Sequence, residues 1–254
     1  MTWRRLLATA LAVLTGVLSL SAGPAVARST AVPGRMPTLV LWAWERPEDL
    51  RELPPDTGVA FLAQTITLDD GRVDVSPRRQ PLRVSPATAL MAVTRIQTAS
   101  PRPPRLVDDR VAEVAERIAR TASLANVGAI QIDFDATTSQ RPLYRAIIRQ
   151  VRERLRAGAP LSITALASWC AGDRWLDDLP VDEAVPMLFE MGPADAPYQS
   201  MALSPGSADR ACRRALGLSL AEPRRVHASG RRVYVFDSKS WTATSIARAR
   251  EIAR

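Results

Sequence analysis

The feature that most constrains the fold is a recurrence of short apolar runs, several of them separated by helical stripes. "TLVLWAWE" (38–45), "GVAFLAQTITL" (58–68), "ALMAVTRI" (89–96), "VGAIQIDFD" (127–135), "LSITALASWC" (161–170), "DEAVPMLFEM" (182–191), "LGLSL" (216–220) and "RRVYVFDS" (231–238) read as eight strands. Near-continuous apolar strands alternating with helices indicate a parallel sheet covered on its faces. Val107, Val111, Val114 and Ile118 mark one helix stripe, with Asp108 and Asp109 in its first turn. Leu143, Ile147, Ile148, Val151 and Leu155 mark a second. Thr137 to Ser139 offer its N-caps, and Gly158 and Pro160 end it. "GDRWLDDL" (172–179), "SADRACRRA" (207–215) and the closing "TATSIARAREIAR" also read as helical. No helical stripe follows the first two strands, and Pro186 is unusual for a central strand. The pattern predicts an α/β fold, a compact (β/α)8 TIM-like barrel, with an open doubly wound sheet as the alternative.

The first residues are read apart from that fold. Arg4 and Arg5 precede an apolar stretch from Leu6 to about Ala22, and Ala25-Val26-Ala27 has the small-x-small spacing of a cleavage site. Residues 1–27 are therefore expected to be a secretory signal peptide, 28–37 a linker and 38–254 a single barrel domain. The stretch is short and rich in Ala and Ser for an uncleaved anchor. The Arg pair is compatible with either the general or the twin-arginine export route, and the absence of a nearby Cys argues against a lipoprotein. Cleavage leaves roughly 225 residues, enough for one domain with a sizeable core. The expectation is an exported, periplasmic or secreted monomer with no membrane span after cleavage.

The formal net charge is +8, and Lys239 is the single lysine. The arginines are scattered over helix faces and turns, as at Arg145, Arg149, Arg152 and Arg154, rather than clustered. Together with the export signal, this argues against a nucleic-acid partner. Cys170 and Cys212 are the two cysteines, and an isolated pair in an exported chain suggests a disulfide rather than two buried thiols. The lone histidine, His227, gives no basis for a zinc site, and no metal or cofactor is expected.

The stretch "GAIQIDFDA" (128–136) carries the chemistry. Gln131, Asp133 and Asp135 alternate with Ile130, Ile132 and Phe134, so one strand face is polar and the other apolar. Ionised carboxylates without partners are expensive to bury. In a barrel the polar face would point inward, toward the mouth where the strands end. Two carboxylates two residues apart repel one another, which raises one pKa and lets one group hold a proton near neutrality.

These residues resemble the fourth-strand motif of glycoside hydrolase family 18, the chitinase-like barrels, which reads D-x-x-D-x-D-x-E. In register, its acidic positions fall on Gly128, Gln131, Asp133 and Asp135. "MLFE" (187–190) resembles that family's M-x-Y-D. Over nearly the whole mature chain, "LWAWERPEDL", "QIDFDA", "ITALASWC" and "VDEAVPMLF" resemble a bacterial group, the domain-of-unknown-function family 3142. The resemblance implies that Asp135 protonates a glycosidic oxygen and that Asp133 orients it and shares its charge. The departures bear on mechanism. Asp135 is one methylene shorter than glutamate, Gln131 replaces an acid, Phe189 replaces the substrate-positioning tyrosine and Glu190 stands for the next aspartate. Arg95 lies where the chitinases carry a glycine-rich third strand. Phe189 lacks the hydroxyl used in acetamido-assisted catalysis.

Other residues near the predicted strand ends are Trp42, Trp44, Glu45, Gln64, Arg95, Trp169, Phe189, Glu190, Glu222, Asp237, Lys239 and Trp241. Of these, Trp44, Glu45, Arg95, Trp169, Phe189, Glu190, Asp237 and Trp241, with Gln131, are candidate substrate-binding residues. Tryptophans at a barrel mouth can stack on sugar rings, and core packing is the plainer use for the same side chains. Three functions follow: an exported polysaccharide hydrolase, a non-catalytic glycan-binding barrel, and a divalent-cation site on Asp133, Asp135 and Glu190. A structural ion-pair network of the two aspartates with Arg95 is the non-functional alternative.

Overall fold

The computed structural model describes residues 36–100, 104, 107–171, 175–191, 198, 200–201, 204, 206, 208, 210–222, 226–228 and 230–254. The expected signal peptide, its cleavage site and the linker as far as Arg35 lie outside them. Eight parallel strands close on themselves. They are β1 (Leu39–Ala43), β3 (Thr57–Asp69), β6 (Leu90–Thr98), β7 (Val127–Asp133), β8 (Leu161–Leu166), β9 (Glu183–Met187), β10 (Ala215–Ser219) and β11 (Arg232–Phe236). Their order is β1-β11-β10-β9-β8-β7-β6-β3, and β1 also pairs with β3, which shuts the ring and rules out the open doubly wound sheet. The described residues from Met36 onward fall in one compact unit.

Strand alternation sorts the core into two layers. Val40, Trp42, Ala60, Met91, Val93, Ala129, Val185 and Tyr234 pack together inside the barrel. Leu41, Val59, Ala92, Ile130, Ile132, Ile163, Leu218 and Val235 join the outer core, shared with the helices. Two of these are α1 (Asp108–Arg120) and α2 (Arg141–Arg154), which bury Val111, Val114 and Ile118, and Tyr144, Ile147, Ile148 and Val151. Val107, expected on the first stripe, instead precedes α1 and is 66% exposed. Helix α3 (Ala243–Ile252) closes the chain, capped by Thr242, whose side chain accepts from the Ser245 N–H.

The first two crossovers contain no helix among the described residues. The first holds β2 (Glu48–Leu50), which pairs in parallel with β5 (Leu82–Val84) from the second. The second also holds β4 (Arg72–Pro77), which turns back antiparallel on β3. Polar alternation in "RVDVSP" suits such a half-exposed ribbon. Two expected helices are also corrected. In 172–179, residues 172–174 lie outside the described residues and 175–178 form a turn. In 207–215, residues 210–214 form a 3-10 helix. The expected fifth strand ends early, at Leu166, and residues 167–170 are a 3-10 turn. Pro186 is tolerated inside β9 because the β9–β10 ladder shrinks to one register pair, Gly217 with Met187.

Two residues of the expected linker contact the barrel. Met36 is buried, and Arg232 donates to the carbonyls of Met36 and Pro37. Cys170 and Cys212 form a disulfide with a Cα–Cα separation of 5.9 Å. No helix among the described residues is long and apolar enough to cross a membrane.

Candidate functional site

Strand β7 builds the floor and one wall of a cleft of about 460 Å³ at the carboxyl ends of the strands. Asp133 is its last residue, and Asp135 lies two further on. Both line the cleft, with Trp42, Trp44, Arg95, Thr164, Met187, Phe189, Tyr198 and Phe236 among the walls and Glu190 at the end of β9. Gln131 is one inward position deeper and fully buried. The Trp42 indole N–H donates to its Oε1 (2.8 Å), and its Nε2 donates to Ser162 Oγ (3.0 Å). Gln131 is therefore a support beneath the cleft. It fixes the ring of Trp42, and Gly217 makes room for that ring. A Cβ on Gly217 would stand 3.0 Å from Trp42 Cη2 and 3.2 Å from the Pro186 carbonyl.

Asp133 is 4% exposed. Thr164 Oγ1 donates to its Oδ1 at 2.7 Å, and Arg95 Nη1 lies 3.6 Å from its Oδ2. Burial, followed by the nearby charge of Asp135, pushes its pKa up to about 6, against the pull of Thr164 and Arg95. The Asp135 side chain reaches solvent through the cleft, yet the surrounding protein still desolvates it. Its pKa is also raised by burial, with Arg95 opposing. Both carboxyls are thus pushed toward the protonated form, Asp133 by burial and the Asp135 charge, Asp135 by burial. The Arg95 guanidinium lies over the Trp44 ring, 5.6 Å from its centroid.

The rest of the cleft is aromatic and soft. Phe189 stacks on Phe236 at 5.7 Å and meets Trp42 edge-on at 6.4 Å. Glu190 adopts a left-handed backbone, φ 55°, and its N–H donates to both carboxylate oxygens of Glu222 at 3.1 Å.

Of the expected binding residues, Trp44, Arg95, Phe189 and Glu190 line the cleft, and five do not. Gln131 lies below it. Trp169 falls in the 3-10 turn after β8, where it packs edge-on against Trp175 at 4.9 Å within the outer core. Trp241 is buried because its indole N–H donates to the Trp42 carbonyl, which holds it behind β1. Glu45 Oε1 accepts from the N–H groups of Arg79 and Gln80 and so clamps a loop. Asp237 accepts from the Lys239 N–H and closes a turn. Gln64 is also diverted, by a bulge between Leu62 and Gln64, and its Nε2 donates to the Arg117 carbonyl on α1.

Thr164, Leu166, Ser168, Met187, Met191, Tyr198 and Phe236 were not anticipated. Period-two alternation in "LSITAL" puts Ser162 and Thr164 on one face, so Thr164 was within reach of the reasoning that found Asp133. Tyr198 lies outside every strand, and no pattern marks it. No group of three or more His, Cys, Asp or Glu among the described residues could hold a metal ion. The cation-site reading is therefore set aside: Arg95 supplies the positive charge beside Asp133, and Thr164 occupies its other oxygen.

Fold and site together define a closed parallel α/β barrel with an acidic, aromatic-walled cleft at the carboxyl ends of its strands. Residues 86–185 match the family model described as a domain of unknown function, DUF3142. The match runs from the turn before β6 into β9, so it takes in Arg95, Asp133, Asp135 and Thr164 and leaves Trp42, Trp44, Phe189 and Glu190 outside. No curated protein matches the chain.

Proposed function

We propose that this protein is an exported glycoside hydrolase acting on an oligo- or polysaccharide, with Asp135 as general acid and Asp133 as the residue that orients it and shares its charge. The observation that carries the reading is the pair itself. A buried, raised-pKa aspartate sits beneath a second aspartate that opens into an aromatic-walled cleft. A purely structural ion pair would lower both pKa values. Here burial outweighs Arg95, which suits a site that must present a proton near neutrality. In the reaction, Asp135 gives its proton to the glycosidic oxygen, which departs with the electron pair of the broken bond. Water then adds at the anomeric carbon, and Asp135, now ionised, accepts the proton that the water loses. Asp133, held by Thr164, offsets positive charge as the leaving group departs. The resemblance to family 18 barrels supports the same roles. The disulfide and the leader-like N-terminus support export.

The test is a screen of the purified protein against aryl-glycosides and oligosaccharides, with Asp135→Asn alongside. We expect hydrolysis by the native protein, at least a hundredfold less by the variant, as general acids contribute about 10²–10⁴-fold, and unchanged ligand binding. Binding without turnover in the native protein would instead select the non-catalytic glycan-binding barrel, which Phe189 favours because its ring presents no hydroxyl to the cleft.

A further inference from the structure

The chain carries a formal +8, yet among the described residues the cleft lining holds Asp133, Asp135 and Glu190 beside one guanidinium, Arg95. Among the described residues, Arg46 and Arg78 near the rim are engaged elsewhere, Arg46 with the Glu48 carboxylate as well as backbone. Arg46 donates to the carbonyls of Asp237 and Ser238, and Arg78 donates to those of Ala43, Trp44 and Arg46. Arg95 itself is shared between Asp133 and the face of Trp44. Among the described residues, neither the Asp135 nor the Glu190 carboxylate accepts a hydrogen bond. Glu222, directly behind the Glu190 N–H, adds a further negative charge. Among the described lining residues, Glu190 alone has a left-handed backbone, held by its N–H on Glu222. It lines the cleft next to Phe189, which stacks on Phe236.

An ionised carboxylate only accepts hydrogen bonds, so it matches a three-donor ammonium and offers nothing to an acetyl carbonyl. Aromatic faces beside the Glu190 carboxylate also favour a cation. We propose that the cleft selects sugars bearing a free, protonated amine, an oligosaccharide of unacetylated hexosamine, with Glu190 as the residue that pairs with the ammonium and Phe189 and Phe236 as the surface on which the ring stacks. This rests on the glycosidase reading of the same cleft. Acetylation of the amine removes the charge that Glu190 recognises, and a uronate brings a charge that the Glu190 carboxylate repels.

The experiment titrates the full chain with glucosamine, galactosamine, their N-acetyl forms, glucose, galactose and glucuronate at pH 6 and low salt, followed by saturation-transfer NMR and by the fluorescence of the cleft tryptophans. Free-amine sugars should bind at least about tenfold more tightly than their N-acetyl and hydroxyl counterparts, a step of about 1.4 kcal/mol. Glu190→Gln should erase most of that preference, bringing the free-amine sugars down to the level of their hydroxyl counterparts. Equal or tighter binding of the N-acetyl, neutral or uronate sugars would overturn the ammonium selectivity and leave the glycosidase reading standing. Binding of no sugar at all would overturn both.

Discussion

Asp133 sets the energetic character of the site. A carboxylate at 4% exposure with one hydroxyl and one distant guanidinium as partners is under-compensated, and its pKa of about 6 expresses that shortfall. Because the folded-state value lies above the ordinary aspartate value of 3.8, the native state holds an extra proton between the two. The associated stability is complete below the lower value and is lost as pH rises through the upper one. The loss is about 3 kcal/mol at 1.36 kcal/mol per pKa unit. Asp133→Asn keeps an acceptor for Thr164 and removes the charge. We therefore expect it to be more stable than the native protein by about 1–3 kcal/mol at pH 7, with the decline between about pH 4 and 6 flattened, while turnover falls. Urea unfolding across that pH range checks it, and a variant less stable at pH 7 would mean that Asp133 serves Arg95 as a structural partner. Alternation alone made this residue legible: with Ile130 and Ile132 packed outward, Gln131 and Asp133 had to face inward. Trp169 and Trp241 were not legible, because their positions depend on where β8 stops and on one indole hydrogen bond, which residue type does not encode.

At the level of elements, the strands were readable and the connections only partly so. Each of the eight barrel strands is a dense apolar run, and burial on both faces leaves such a run few alternatives to a parallel sheet. The ribbon of β2 and β5 is held together by pairing between two successive crossovers, and three-residue strands carry no periodicity to read. The bulge that turns Gln64 from the mouth to α1 is likewise a property of register, not of composition. Gly217 is where element geometry meets the site. β10 passes the cleft floor so closely that a methyl group there would press on Trp42 and on the backbone of β9. Gly217→Ala should cost about 1–3 kcal/mol, as overpacking does, and should displace the indole that Gln131 holds. A melting curve and the shift in tryptophan emission measure the two effects separately. An unchanged melting point would show that β9 and β10 part easily, as their single register pair allows.

For the whole molecule, the disulfide links chain history to stability. Cys170 follows β8 and Cys212 precedes β10, so the bridge spans 42 residues of sequence and encloses all of β9. Both cysteines are buried in the outer core, where reduced thiols would still pack. The bridge therefore acts mainly on the unfolded chain, and a loop of this size is worth about 2–4 kcal/mol. β9 is the strand least secured by its ladder on the β10 side, and it carries Glu183, Met187 and, just beyond its end, Phe189 and Glu190. Loosening this loop should thus disturb the cleft before it unfolds the barrel. Such a bridge forms in an oxidising compartment, which the leader-like residues 1–27 would provide. One measurement tests the joint expectation. The intact mass of material recovered from outside the cytoplasm should lack Met1 to Ala27 and be lighter by two hydrogens than the reduced chain beginning at Arg28. Reduction should then lower unfolding stability by about 2–4 kcal/mol, with ligand binding lost at a lower denaturant concentration than global unfolding. A mass that retains Met1 would overturn the export reading. Two free thiols in unreduced, denatured protein would overturn the bridge, and coincident loss of binding and fold would show that β9 is held by more than its ladder.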